Sequence, residues 1–429
     1  MFKAIDKWLP GYVMSRLSRP RFPAGTRHLF FCVADHFEPF RGTDDPATAL
    51  ALVRSWCADY PGSVRGFCDA DGRQPQHTLF YPQEEYSAAV LDTLAGLCRD
   101  GFGEVEVHLH HRHDTPDGLR QKLTAFRDTL HRQHGLLGCE RVTDGGARSD
   151  VRLRPTADPE PLVPPAGAIR YGFIHGNWAL CNSRPDGDWC GVNEELGILA
   201  GTGCYADFTF PSAPSPTQSC TVNAIYRATD VAGRPRGADR GVRVVTRGAR
   251  DSHRPQAADQ RPDATFNVQR STLNAQVCSA PPSDSDPQPS TLAPLMIVQG
   301  PLALNWRRRK WGVLPRLENA EITGANPPTR ERLRLWAGQQ IGVGGRPDWV
   351  FVKVHTHGCV PANRDVVLGS AMSGLHGALQ REFNDGQTWR LHYVTAREMY
   401  NLIRAAEDGW TGEPGEARDW EVTPPPACE

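Results

Sequence analysis

Short, almost continuous apolar runs recur along the chain: His28 to Ala34 (HLFFCVA), His77 to Tyr81, Val105 to Leu109, Tyr171 to Ile174, Tyr205 to Phe210, Leu295 to Val298, Trp349 to Val354 and Leu391 to Val394. Apolar character on successive residues, without alternation, suits strands covered on both faces, as in a parallel sheet. Helix-like segments separate them: Pro46 to Tyr60, Glu84 to Arg99, Asp117 to His134, Asn193 to Leu199, Thr329 to Gln340, Arg364 to Phe383 and Ala396 to Glu407. Asp45-Pro46 opens the first of these, and Gly101, Gly135 and Gly386 follow others, as start and stop signals do. This alternation predicts an α/β fold, a (β/α) barrel of about seven or eight parallel strands over residues 27–409.

Two stretches break the rhythm. Residues 141–168 and 233–294 are rich in Arg, Pro, Ser, Asp and Gln, too polar to bury the apolar surface that would offset their ordering entropy, and are expected to be disordered insertions. Residues 1–26 are expected to form a helical extension, with Phe2 to Leu17 as a surface helix carrying Lys3, Lys7 and Arg16 outside, and residues 410–429 a loose tail.

Composition narrows the function classes. With 48 Lys and Arg against 49 Asp and Glu, the chain has no bulk electrostatic reason to bind nucleic acid, and the Arg307 to Lys310 run reads as a solvated face or an anion-contacting loop. No stretch approaches the roughly 18 apolar residues of a membrane helix, and no apolar segment with a cleavage signal opens the chain, so a cytoplasmic location is expected. The 12 cysteines include no C-x-x-C pair and read mostly as small buried apolar residues. Nothing in the pattern specifies an oligomeric state.

The candidate chemistry lies where apolar runs end, which is where α/β barrels carry their functional side chains. HLFFCVA runs into Asp35-His36-Phe37-Glu38, VEV into His108-Leu109-His110-His111-Arg112-His113, YGFI into His175-Gly176-Asn177-Trp178, and WVFVKV into His355-Thr356-His357. Alternate strand residues share a face, so His108 and His110 can grip one ion, with Asp35 supplying an oxygen and His111 a further candidate ligand. That N/O set suits zinc or a similar divalent ion. His36 and Glu38 share the other parity, which gives His36 a substrate-facing role and leaves that of Glu38 open. His355 or His357 could protonate a leaving group, and Asp207 is a further candidate for proton transfer. Asn177 and Trp178 are candidate substrate contacts, Trp178 by stacking on a sugar ring.

Taken in order, VADHFEP, VEVHLHHRHD, YGFIHGNW, YADFTFPSAP and VKVHTHG resemble the successive motifs of the polysaccharide deacetylases, the carbohydrate esterases with a nodulation-factor deacetylase domain. The resemblance runs from about Arg27 to Glu407. It implies a distorted (β/α) barrel, a divalent metal held by an Asp and two His, and removal of N- or O-acetyl groups from a sugar or glycan precursor. It also implies a catalytic carboxylate. The second acid of the family's first motif is replaced here by His36, which leaves Asp35, Glu38, Asp114 and Asp207 as alternatives. An amidohydrolase-like metallohydrolase with two ions and a non-catalytic carbohydrate-binding barrel are the rival readings.

Overall fold

A computed structural model describes residues 4–142, 167–251 and 294–426. In chain order the strands are β1 (Arg27–His36), β2 (His77–Pro82), β3 (Gly103–Leu109), β4 (Tyr171–His175), β5 (Cys204–Asp207), β6 (Ile225–Ala228), β7 (Val242–Arg243), β8 (Leu295–Val298), β9 (Ala303–Lys310), β10 (Leu314–Glu318), β11 (Glu321–Ile322), β12 (Trp349–Thr356) and β13 (Trp389–Tyr393). The helices are α1 (Ile5–Leu17), α2 (Pro46–Val64), α3 (Ala88–Arg99), α4 (Pro116–His134), α5 (Glu195–Gly201), α6 (Arg247–Asp251), α7 (Arg330–Ala337), α8 (Pro361–Val367), α9 (Ser370–Phe383) and α10 (Ala396–Asp408). Every predicted apolar run contains a strand. Asp45 caps α2 by accepting from the amides of Ala47 and Thr48, and left-handed glycines end α4 and α10. The segment predicted as one helix over Arg364 to Phe383 divides into α8 and α9, because the backbone is extended at Gly369.

The main sheet has the order β11-β12-β1-β2-β3-β4-β5-β8-β6-β7, with β13 also pairing the first half of β1. From β11 to β8 all neighbours are parallel; β8, β6 and β7 are antiparallel. The fold is therefore mixed α/β with a mostly parallel sheet, as the apolar runs predict, and the sheet gains an antiparallel end that they do not. The antiparallel turn arises because the chain leaves β5 and returns through loop 208–224 without a crossover helix, so β6 must run back down the sheet. The strand ladder is open: β7 and β11 do not pair.

Both faces of β1 are buried. Leu29, Phe31 and Val33 pack on one side with Trp336 of α7 and Leu375 and Leu379 of α9. Phe30, Cys32 and Ala34 face the other way, among Phe80, Ile174, Phe208, Phe351 and, from α10, Met399 and Tyr400. Continued alternation sends Asp35 to the first side and His36 to the second.

Flanking segments differ from their expected roles. Trp8 of α1 is buried with Ala213, Val222 and Leu302, and the close passage of Gly11 leaves no room for a Cβ beside the Cys220 carbonyl. The expected loose tail is docked: Ala417, Arg418 and Val422 are buried, and Asn401 of α10 holds the backbone at Arg418, Glu421 and Val422. Residues 233–251, expected to belong to a disordered insertion, carry β7 and α6; the rest of that insertion, and residues 143–166 of the other, lie outside the described residues. The Arg307 to Lys310 run is a solvated face, as one of its two expected readings has it, on β9 of an antiparallel β9–β10 hairpin that also exposes Trp306 and Trp311. No described helix is long and apolar enough to cross a membrane.

Candidate metal centre

The C-terminal ends of β12, β1 and, one strand beyond β2, β3 bring His36, Glu38, His108, His110 and His357 together. Ligand atoms of Glu38, His108 and His110 lie within 4.8 Å of one another, as do those of His36, Glu38 and His357. Glu38 Oε1 is the hub, at 3.4 Å from His108 Nε2, 3.5 Å from His110 Nε2 and 3.9 Å from His357 Nε2. Its other oxygen is held by Arg41 at 2.8 Å. The His36 ring lies tilted 4.7 Å from that of His357 and edge-on 4.9 Å from that of His108.

The tautomers follow from the outer partners. His108 Nδ1 lies 2.8 Å from the Ile174 carbonyl, which can only accept, so Nδ1 carries the proton and Nε2 turns a lone pair toward Glu38. His110 Nδ1 lies 2.5 Å from Glu84 Oε1, and the His110 amide also donates to Glu84, which leaves Nε2 in the same state. In the neutral rings both Nε2 lone pairs face the Glu38 carboxylate oxygen, a set open to a cation, and protonation of either ring puts an N–H donor there instead. An acceptor bound behind each Nδ1 orients a metal-bound histidine in this way, and the donor chemistry fits a zinc-like ion.

Electrostatics follow from this crowding. Burial works against the Glu38 charge, but the His108 hydrogen bond and the surrounding imidazoles hold its carboxyl down at about 2. Burial and the neighbouring imidazoles push His36 well below the ordinary histidine range. Burial also disfavours charge on His110, but Glu84 outweighs it and raises that ring.

The other predicted residues fall elsewhere. Asp35 occupies the opposite face of β1, where Oδ1 accepts from the Gly358 amide at 2.6 Å and Oδ2 faces His77 at 3.3 Å, so it is not in the rim group. A Cβ on Gly358 would sit 2.2 Å from the Asp35 carboxylate, so this contact requires glycine. His355 is buried beneath the rim, its ring 6.3 Å from that of His36, with Nε2 lacking a hydrogen-bond partner. Asp207 is also buried; it accepts from Thr209, and burial raises it to about 7. Asn177 and Trp178 form a short turn after β4, exposed and half-buried. That turn abuts the rim because Gly176 passes so close to the His110 ring that a Cβ would lie 2.2 Å from it.

His111 belongs to a separate group with His175, Cys190 and Glu195, all buried and again within 4.8 Å. Sequence reading placed His175 at a strand end without giving it a ligand role, and it did not single out Cys190, Glu195 or Glu84 for the chemistry. These residues sit on separate loops and helix starts with no motif spacing, so only the fold joins them. No protein-family model matches the chain and no curated protein matches it, so the functional reading rests on this geometry.

Proposed function

We propose that the chain is a metal-dependent hydrolase resembling the polysaccharide deacetylases, which removes acetyl groups from a sugar or glycan precursor. The observation that carries this is the convergence of His108 Nε2 and His110 Nε2 on Glu38 Oε1, each imidazole anchored from behind. Glu38 takes the carboxylate position expected of Asp35. His108, His110 and Glu38 would hold the ion, with His36 and His357 beside it. A bound zinc-like ion would supply Lewis acidity toward an acyl carbonyl and toward water. His357, just past the end of β12, would pass a proton to the departing sugar nitrogen or oxygen; His355, in β12, lies deeper and supports the rim from below. The exposed Asn177-Trp178 turn offers a stacking and hydrogen-bonding surface for the sugar.

The same reading includes closure into a distorted barrel. Support comes from the gap between β7 and β12: Thr246 donates to Gly344, Gly344 to Val244 and Phe351 to Ile341, spanning the gap without a strand ladder. The experiment is elemental analysis and acetate release from acetylated amino sugars, for the wild type and a His108→Ala/His110→Ala variant of equal circular dichroism. Bound metal and acetate release that fall together in the variant are expected. Saccharide binding without acetate release from metal-loaded wild type would leave a carbohydrate-binding protein; no rim metal after reconstitution would overturn the reading.

A further inference from the structure

His111, His175, Cys190 and Glu195 come from four places: the loop after β3, the end of β4, the loop before α5 and the first turn of α5. Glu195 Oε1 is 3.3 Å from His111 Nε2 and 3.6 Å from His175 Nε2, and its Oε2 is 3.5 Å from Cys190 Sγ. Bonds of about 2.0 Å to nitrogen and about 2.3 Å to sulfur place neighbouring donors of a tetrahedral zinc about 3.3 to 3.5 Å apart.

The outer contact decides the tautomer of His175. His175 Nδ1 is bound to the Gly176 carbonyl, so Nε2 presents a lone pair, and it has no hydrogen-bond partner although the side chain is fully buried. His111 Nε2 is within hydrogen-bond reach of Glu195 at 3.3 Å, whereas its Nδ1, 3.2 Å from Asp114, has no hydrogen-bond partner. The Cys181 amide fixes Glu195 Oε2 at 2.6 Å. A buried carboxylate within 3.6 Å of the unpartnered His175 Nε2 calls for a cation, and among the described residues no Lys or Arg pairs with Glu195.

We propose that His111, His175, Cys190 and Glu195 bind one structural divalent cation of the zinc class, separate from the rim ion. Four protein donors close the coordination shell, and burial of all four leaves no position for substrate. The ion pins loop 176–194, which holds Asn177, Trp178, Cys181, Asn182 and Trp189 in left-handed backbone conformations that cost free energy, to the ends of β3 and β4. This assignment stands independently of the hydrolase reading.

The test uses full-length protein stripped with chelator and reloaded with Co2+. Thiolate-to-cobalt charge-transfer absorption is expected in the wild type, retained in His108→Ala/His110→Ala and lost in Cys190→Ser, with one fewer cobalt bound in each variant. The rim group has no cysteine, so failure there leaves this absorption intact. Absence of the band from folded, reloaded wild type overturns the proposal, whether or not Cys190→Ser folds; so does its persistence in that variant.

Discussion

Toward the N-terminal end of the sheet, Arg418 lies 2.9 Å from Asp69, 2.8 Å from Asp71 and 2.9 Å from Glu398, while Arg397 lies 2.8 Å from Glu104. His392 and the two aspartates form a group with the same ligand types as the rim, yet a guanidinium already fills it. At the C-terminal end, Glu38 has Arg41 on its solvent side and imidazole lone pairs on its inner side, and Glu195 has only imidazoles, a thiol and an amide. The lower end carries its own countercharge and is built for stability; the upper end presents acceptors that a cation from solution can join. A group of His and acids is thus a metal candidate according to what already neutralises it, not according to its composition.

The contrast can be broken at either end. Glu38→Ala should remove the rim ion and lower acetate release about 10³-fold or more, measured as kcat/KM, with little change in unfolding midpoint. Arg418→Ala should do the reverse, costing about 3–5 kcal/mol in denaturant unfolding because it strands buried carboxylates, while the metal content of the folded fraction stays at the wild-type level. Glu84→Gln should sharpen the distinction: it weakens the anchor of His110 and should reduce rim-metal affinity about 10- to 100-fold in a competition titration, leaving the Cys190 group loaded.

The smallest effect concerns pH. Burial, with His77 nearby, lowers His376 from 6.5 to about 3. Between those values the unfolded chain takes up a proton that the folded chain refuses, so stability falls as pH drops through that window and is unaffected above it. His376→Gln should flatten the profile there by about 1.4 kcal/mol per pH unit, as measured by urea unfolding.

The strands were legible because runs such as HLFFCVA and WVFVKV are apolar on both faces, and the same property hid the site. Parity separates Asp35 from His36, but when Val33 and Ala34 are equally buried it does not say which face becomes the interior. The rim therefore took His36 and Glu38, and Asp35 turned toward His77. The His108/His110 pair was legible from alternation alone. His111 breaks from it where β3 ends at Leu109 and the chain is free to turn. Strands β6, β7 and β9 to β11 were not singled out because their short or charged segments lack an apolar run, and their pairing is set by neighbours distant in sequence.

Arg418 reaches Asp69 across 349 positions of sequence. Read as a schedule of synthesis, this means that Asp69, Asp71 and Glu104 emerge long before the tail that neutralises Asp69 and Asp71. Until then those two carboxylates resist burial, so their docking waits for Arg418. The segment around Arg418 acts in time as well as in space.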